Sequence, residues 1–395
     1  MPRFIIVNDG TIRESREYED PRPRKRQRVL FEQDDDSDKD TLTDYFTSES
    51  TKPELLVRDP EYYLDDPKAD CFVRVEKTLF KVHQHVLETS EILAWKLARH
   101  LEEGPTSTEC PFAFLYGTSA DEFRALLWTQ YTSSDKLENQ PEDQSDLGRL
   151  LFLATITYRF RYNALHSWAI TVINHAFTTK AVFADTCSSA TFTRVVDVAV
   201  ECKASDLLES VETKWSARVQ RKDIPPVPAI LAADRQDLRT LRGIAYYVYI
   251  QETMELQVTL TKSGATQLQV DPKLSNVQVM RLLSGHLSLV GFWERLRRQA
   301  PKLSCAEGCE PERHIEVCTT VWVDRWRAAT NSRRVLGHHT TDVFAILLAL
   351  REELGTDQEL KRNVLPACRL AGLDTLKKVS DDLSETLPDH FFGCI

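Results

Sequence analysis

From Asp70 onward the chain alternates. Cys71, Val73 and Val75 interleave with Phe72, Arg74 and Glu76, the two-residue period of a strand with differently dressed faces. Lys77-Thr78 supplies a polar turn, and Leu79 to Val82 reads as the returning strand of a hairpin. After Val82 the period lengthens. Val86, Leu87, Ser90, Leu93, Ala94, Leu97 and Leu101 recur at threes and fours, which marks one face of a helix. A short apolar strand, Phe112 to Gly117, is placed to pair with the hairpin. Thr118 or Ser119 then caps a helix carrying Phe123, Leu126, Leu127 and Tyr131, with Glu122 positioned to close a capping box.

Helical spacing dominates beyond this point. Leu147 to Ile156 and Leu165 to Ile173 predict an αα-hairpin divided near Arg161, followed by helical segments over Thr191–Ala204 and Asp206–Val219. Ile224-Pro-Pro-Val-Pro-Ala229 marks a boundary, because three prolines cannot sit in a helix interior. A helix over Asp234–Glu252 leads to a small hairpin, Gln257–Lys262 with Thr266–Val270. Helix returns over Val277–Leu283 and Ser288–Arg298. The terminal helices centre on Val317–Ala328, Thr341–Leu354, Asp357–Leu370 and Leu373–Leu383. The pattern predicts an α+β protein: a small sheet flanked by helices over residues 65–178, a helical extension over 179–224, and a mostly helical region over 225–395.

Residues 1–64 carry no lasting periodicity and read as a disordered, charged segment. Within it Arg24, Lys25, Arg26 and Arg28 form a basic run suited to nuclear import, close to the acidic block Asp34–Asp40 that it also neutralises. Ser37 and Ser48 lie in acidic surroundings that suit phosphorylation. The 395 residues, 42% hydrophobic, suffice for real cores, and the net charge of -10 argues against nucleic acid and anionic membranes as partners. Nine cysteines, an odd number, fit reduced intracellular thiols better than a disulfide framework. With no apolar run of membrane-spanning length, a nuclear or cytoplasmic protein is expected.

Candidate chemistry concentrates in one place. Cys305-x3-Cys309-x4-His314-x3-Cys318 offers four soft ligands within a short, charged, glycine-bearing segment, the donor set of tetrahedral zinc. Its opening gap of three residues is wider than the usual two, and the same residues also read as a loop with Cys318 packed beside Trp322 and Trp326. Val321, Trp322 and Trp326 stand at helical spacing and are expected in the core. His83-Gln84-His85 reads as a turn whose histidine bonds backbone rather than a metal. No nucleophile elbow, phosphate loop, dinucleotide fingerprint or His-Glu-x-x-His helix is written in the chain, so no enzyme is expected and no cofactor is assigned.

The order hairpin, Phe80-x-x-His83, helix with an internal serine at Ser90, short strand and then Phe123-x-x-Leu126-Leu127-x-x-x-Tyr131-Thr132 resembles the BTB/POZ domain. Asp70 matches the aspartate that opens that family's first strand. The wording Val75 to His83, with Trp128, is most similar to BTB proteins of mushroom-forming (basidiomycete) fungi. So is the later stretch Ala233 to Tyr247. Gln84 stands where the family commonly has arginine or lysine, and the His83–Ser90 span is one residue short. Both weaken a corepressor-binding groove. The resemblance implies a non-enzymatic protein–protein interaction protein that homodimerises through residues 65–178 and acts as adaptor or scaffold. A cullin-type ubiquitin-ligase adaptor, with Thr191–Val219 as the usual extension, is its special case; the alternatives are a nuclear transcriptional regulator that uses the basic run and a zinc-binding C-terminal domain at Cys305–Cys318.

Overall fold

In the computed structural model the described residues are 4–6, 12–14, 56–102, 113–132, 146–179, 185–257 and 270–392. The chain divides into two units, Met1–Glu54 and Leu55–Ile395. In the first, strands β1 (Phe4–Ile6) and β2 (Ile12–Glu14) form an antiparallel ladder. The basic run Arg24–Arg28, Ser37 and Ser48 lie outside the described residues, and the segment expected to be disordered over residues 1–64 ends earlier, because Val57–Tyr63 form a strand of the second unit.

The second unit opens on β3 (Val57–Tyr63), eight residues before the expected start of the folded region. Pro60 lies within this strand, and β3 occupies the sheet edge, where a residue without an N–H is tolerated. The register on its partner shifts between Arg58 and Tyr63. β4 (Cys71–Val75) and β5 (Thr78–Val82) form the predicted hairpin, and β6 (Ala113–Phe114) adds to β4, giving the mixed order β3-β5-β4-β6. The turn is Glu76-Lys77, because Val75 pairs with Thr78. Glu76 takes the left-handed conformation (φ 53°) that such a two-residue turn demands. Val73, Val75, Phe80 and Val82 are completely buried, so the alternation seen in the sequence has one dry face.

Helices α1 (Gln84–Leu87), α2 (Glu91–Glu102) and α3 (Ala120–Tyr131) follow, and Ser119 with Glu122 closes the predicted capping box on α3. Then α4 (Leu147–Arg159) and α5 (Asn163–Thr179) pack as the αα-hairpin, joined by α6 (Ser189–Glu201) and α7 (Ser205–Gln220). The prolines of 225–228 initiate α8 (Pro226–Gln236), which packs on α6. The boundary read at 224/225 is therefore a helix start inside one continuous core. Asp237, left-handed at φ 55°, separates α8 from α9 (Arg239–Gln257), dividing what periodicity presents as one helix over Asp234–Glu252. The small hairpin expected after Gln257 lies outside the described residues.

The two segments expected over Val277–Leu283 and Ser288–Arg298 are one helix, α10 (Asn276–Arg298). Beyond it stand α11 (Pro311–Arg313), a π-helical turn (His314–Thr319), α12 (Thr320–Thr330), α13 (Arg333–Leu336) and α14 (Val343–Thr356). The chain closes with α15 (Gln358–Asn363), α16 (Pro366–Thr386) and α17 (Asp389–Phe392). The unit is α+β, mostly helical with a small mixed sheet, and among the described residues no helix is long and apolar enough to cross a membrane.

Candidate metal centre

The segment before α11 bends sharply. Gly308 is left-handed (φ 81°), and Cys309 N–H donates to the Ala306 carbonyl at 3.1 Å, closing a tight turn with glycine at its third position. Pro311 starts α11, and the backbone then widens into the π turn that carries His314 and Cys318. Such turns, with one residue more per turn than their i→i+4 neighbours, recur at functional sites. Cys318 is wholly buried and His314 nearly so.

The fourth member comes from far along the chain. Pro366 stands at the first position of α16, so Cys368 falls in its first turn, wholly buried. Cys309, His314, Cys318 and Cys368 bring their ligand atoms within 4.8 Å of one another, the one such set among the described residues. Nδ1 of His314 lies 3.6 Å from Sγ of Cys368 and 3.9 Å from Sγ of Cys309. Zinc bonds of about 2.3 Å to sulfur and about 2.0 Å to nitrogen hold tetrahedral ligand atoms about 3.5–3.8 Å apart; the two His314 distances already stand near that spacing, and the rest of the set, within 4.8 Å, has to close by no more than about 1 Å.

The histidine is held in the tautomer a metal requires. Its Nε2 sits 3.2 Å from the Leu303 carbonyl, a bond that places the proton on Nε2 and turns the Nδ1 lone pair toward the sulfurs. Burial, then the neighbouring Cys368 and Cys318, push Cys309 up to about 12. A divalent cation reverses that balance by binding the thiolates directly. Cys368 has the further support of the α16 N-terminus, whose unpaired N–H groups favour negative charge.

Cys305, the first residue of the motif seen in the sequence, is outside the group. It is exposed, and its Sγ lies against the Cys309 carbonyl at 3.5 Å. Cys368 takes its place. The sequence pattern concealed this because periodicity runs a helix from Asp357 to Leu370, which would put Cys368 in the last turn of that helix rather than the first turn of the next. Pro366 was the available signal, since proline starts helices and ends the one before. Trp322 and Trp326 are core residues as expected, each donating its indole N–H, to the Pro301 carbonyl at 2.9 Å and the Leu296 carbonyl at 3.0 Å.

The residues singled out around the hairpin also meet. Asp70 Oδ1 accepts the Gln84 N–H at 2.9 Å at the start of α1, and this bond holds the Asp70 carboxyl below its usual value. His83 bonds side chains rather than the backbone expected of it: Nδ1 is 3.0 Å from the Tyr131 hydroxyl and Nε2 is 3.4 Å from Asp66. Phe80 and Phe123 meet edge to face at 4.9 Å, both fully buried with Leu126 and Leu127. Ser90 Oγ donates to the Phe160 carbonyl at 2.6 Å, joining the first helices to the α4–α5 corner.

No protein-family model, no curated protein and no solved structure matches the chain.

Proposed function

We propose that this chain is a non-enzymatic protein–protein interaction protein of BTB/POZ type, with a helical C-terminal region stapled by one structural zinc ion. The closed Cys3His set at Cys309, His314, Cys318 and Cys368 carries the zinc part of this reading. Four protein ligands leave no position for water or substrate, which is the signature of a structural rather than a catalytic site. The metal would tie the turn before α11 to the start of α16, with Cys309 and Cys368 59 residues apart in sequence, so its binding energy would become folding energy for the C-terminal helices.

Support for the interaction part comes from the cluster of Asp70, Phe80, His83, Ser90, Phe123, Leu126, Leu127 and Tyr131. These residues serve packing and capping, and none is arranged around a reacting atom. Trp95 on α2 and Tyr116 just after β6 are 59% and 65% exposed, and α2 packs on β6. Large aromatic side chains of this kind are enriched where a second chain docks. The expected assembly is a homodimer.

One native mass spectrum of the full chain tests both parts. It should show a dimer carrying one zinc per chain. A monomer at every concentration refutes the dimer, and a metal-free mass from zinc-supplemented expression refutes the staple.

A further inference from the structure

The zinc reading leaves one thiol of the Cys305–Cys318 motif unused, and it is not placed at random. Cys305 and Cys309 flank the turn Ala306–Cys309, with Gly308 left-handed between them. The Cys305 sulfur already rests 3.5 Å from the Cys309 carbonyl. Cys305 is exposed and Cys309 is half-buried, whereas Cys318, Cys368 and His314 are buried. The one ligand open to approach is therefore the one with a free thiol beside it.

We infer that Cys305 and Cys309 form a redox release for the metal: peroxide oxidises the pair to a disulfide, and zinc loses a ligand and leaves. This rests on the zinc site proposed above. The steps balance. The exposed Cys305 thiolate attacks one oxygen of hydrogen peroxide, its S–O bond forms as the O–O bond breaks, and hydroxide departs. The Cys309 sulfur then attacks the Cys305 sulfenic acid. The S–S bond forms, the S–O bond breaks, and a second hydroxide leaves. Two sulfurs have together lost two electrons, peroxide has been reduced to two waters once protons are taken from solvent, and the Zn–Cys309 bond is gone. A zinc ion left with Cys318, Cys368 and His314 has an open position for competing ligands. Only Ala306, Glu307 and the left-handed Gly308 separate the two cysteines, and both precede the helix that starts at Pro311.

The test treats the zinc-loaded full chain with hydrogen peroxide beside a chromogenic zinc chelator, and maps disulfides by non-reducing peptide mass spectrometry. The parent chain should release its zinc as a Cys305–Cys309 peptide forms, lighter by two hydrogen atoms. Cys305→Ser should bind zinc as fully as the parent, yet release it on the order of tenfold more slowly, because the thiol that peroxide oxidises first is gone and Cys309 has no sulfenic acid to attack. Release from Cys305→Ser at the parent's rate, or a different disulfide, overturns the switch and leaves the site standing. Reduced zinc content in Cys305→Ser makes Cys305 a ligand and overturns the switch too. A parent chain that binds no zinc overturns both.

Discussion

At the residue scale, the most consequential buried charge is Asp59 on β3. Its side chain is wholly buried, accepts the N–H groups of Glu61 and Tyr62 at 3.0 and 2.8 Å, and meets Arg124 Nε of α3 at 2.7 Å. Both carboxylate oxygens are thus satisfied, and the pair clips the edge strand to the helix. Arg124 also reaches Asp121 and remains about one third exposed, so solvent screens part of its attraction. Asp59→Ala would leave two backbone donors without their partner. A loss of about 2–3 kcal/mol in urea unfolding is expected, below the full cost of breaking a deeply buried pair. Nothing in the sequence announced this residue. It sits beside a proline in a charged stretch with no alternation, and only its partner on α3 gives it a role. The apolar residues on either side of the turn were legible for the opposite reason. Cys71 to Val82 alternate over one dry face, and burial enforces what periodicity predicts.

At the scale of elements, the packing of α16 decides whether the metal ligands meet. Gly372, one turn beyond Cys368, lies so close to Trp322 and Leu303 that a Cβ there would stand 2.9 Å from their side chains. The indole cannot retreat freely, because its N–H is held by the Pro301 carbonyl. Two effects compete in Gly372→Ala. Alanine raises helix propensity by about 1 kcal/mol, while overpacking a filled core costs about 1–3 kcal/mol. With the tryptophan pinned, overpacking should win. A lower thermal midpoint is expected, together with easier extraction of zinc by chelators as the first turn of α16 is pushed from the π turn. An unchanged midpoint would show that the contact yields cheaply. Helix existence was well written in the chain, but helix breaks were less so. Asp237 and the Asn363–Pro366 step interrupt continuous apolar periodicity, and each break depends on one backbone conformation rather than on a pattern. The π turn leaves no sequence signature at all, since its extra residue changes hydrogen bonding without changing residue type.

At the scale of the molecule, residues 55–395 form one compact unit whose sheet and helical bundle share a continuous core. Local signals gave the α+β class and most helices, while the site required a contact across the C-terminal region. Three of its four ligands lie within ten residues and were visible as a motif, and the fourth is brought in by folding. This is why Cys305 looked like a ligand and Cys368 did not. Proximity in sequence points to Cys305, whereas folding and burial group Cys368 with the other three side chains. The central claim is the identity of these four ligands, and zinc K-edge X-ray absorption of the full chain tests it most directly. The parent should show three sulfurs at about 2.3 Å and one nitrogen at about 2.0 Å. Cys368→Ser should lose a sulfur from that shell or lose the metal, whereas Cys305→Ser should leave the shell unchanged. A shell dominated by nitrogen and oxygen, or one that survives Cys368→Ser intact, would contradict the account.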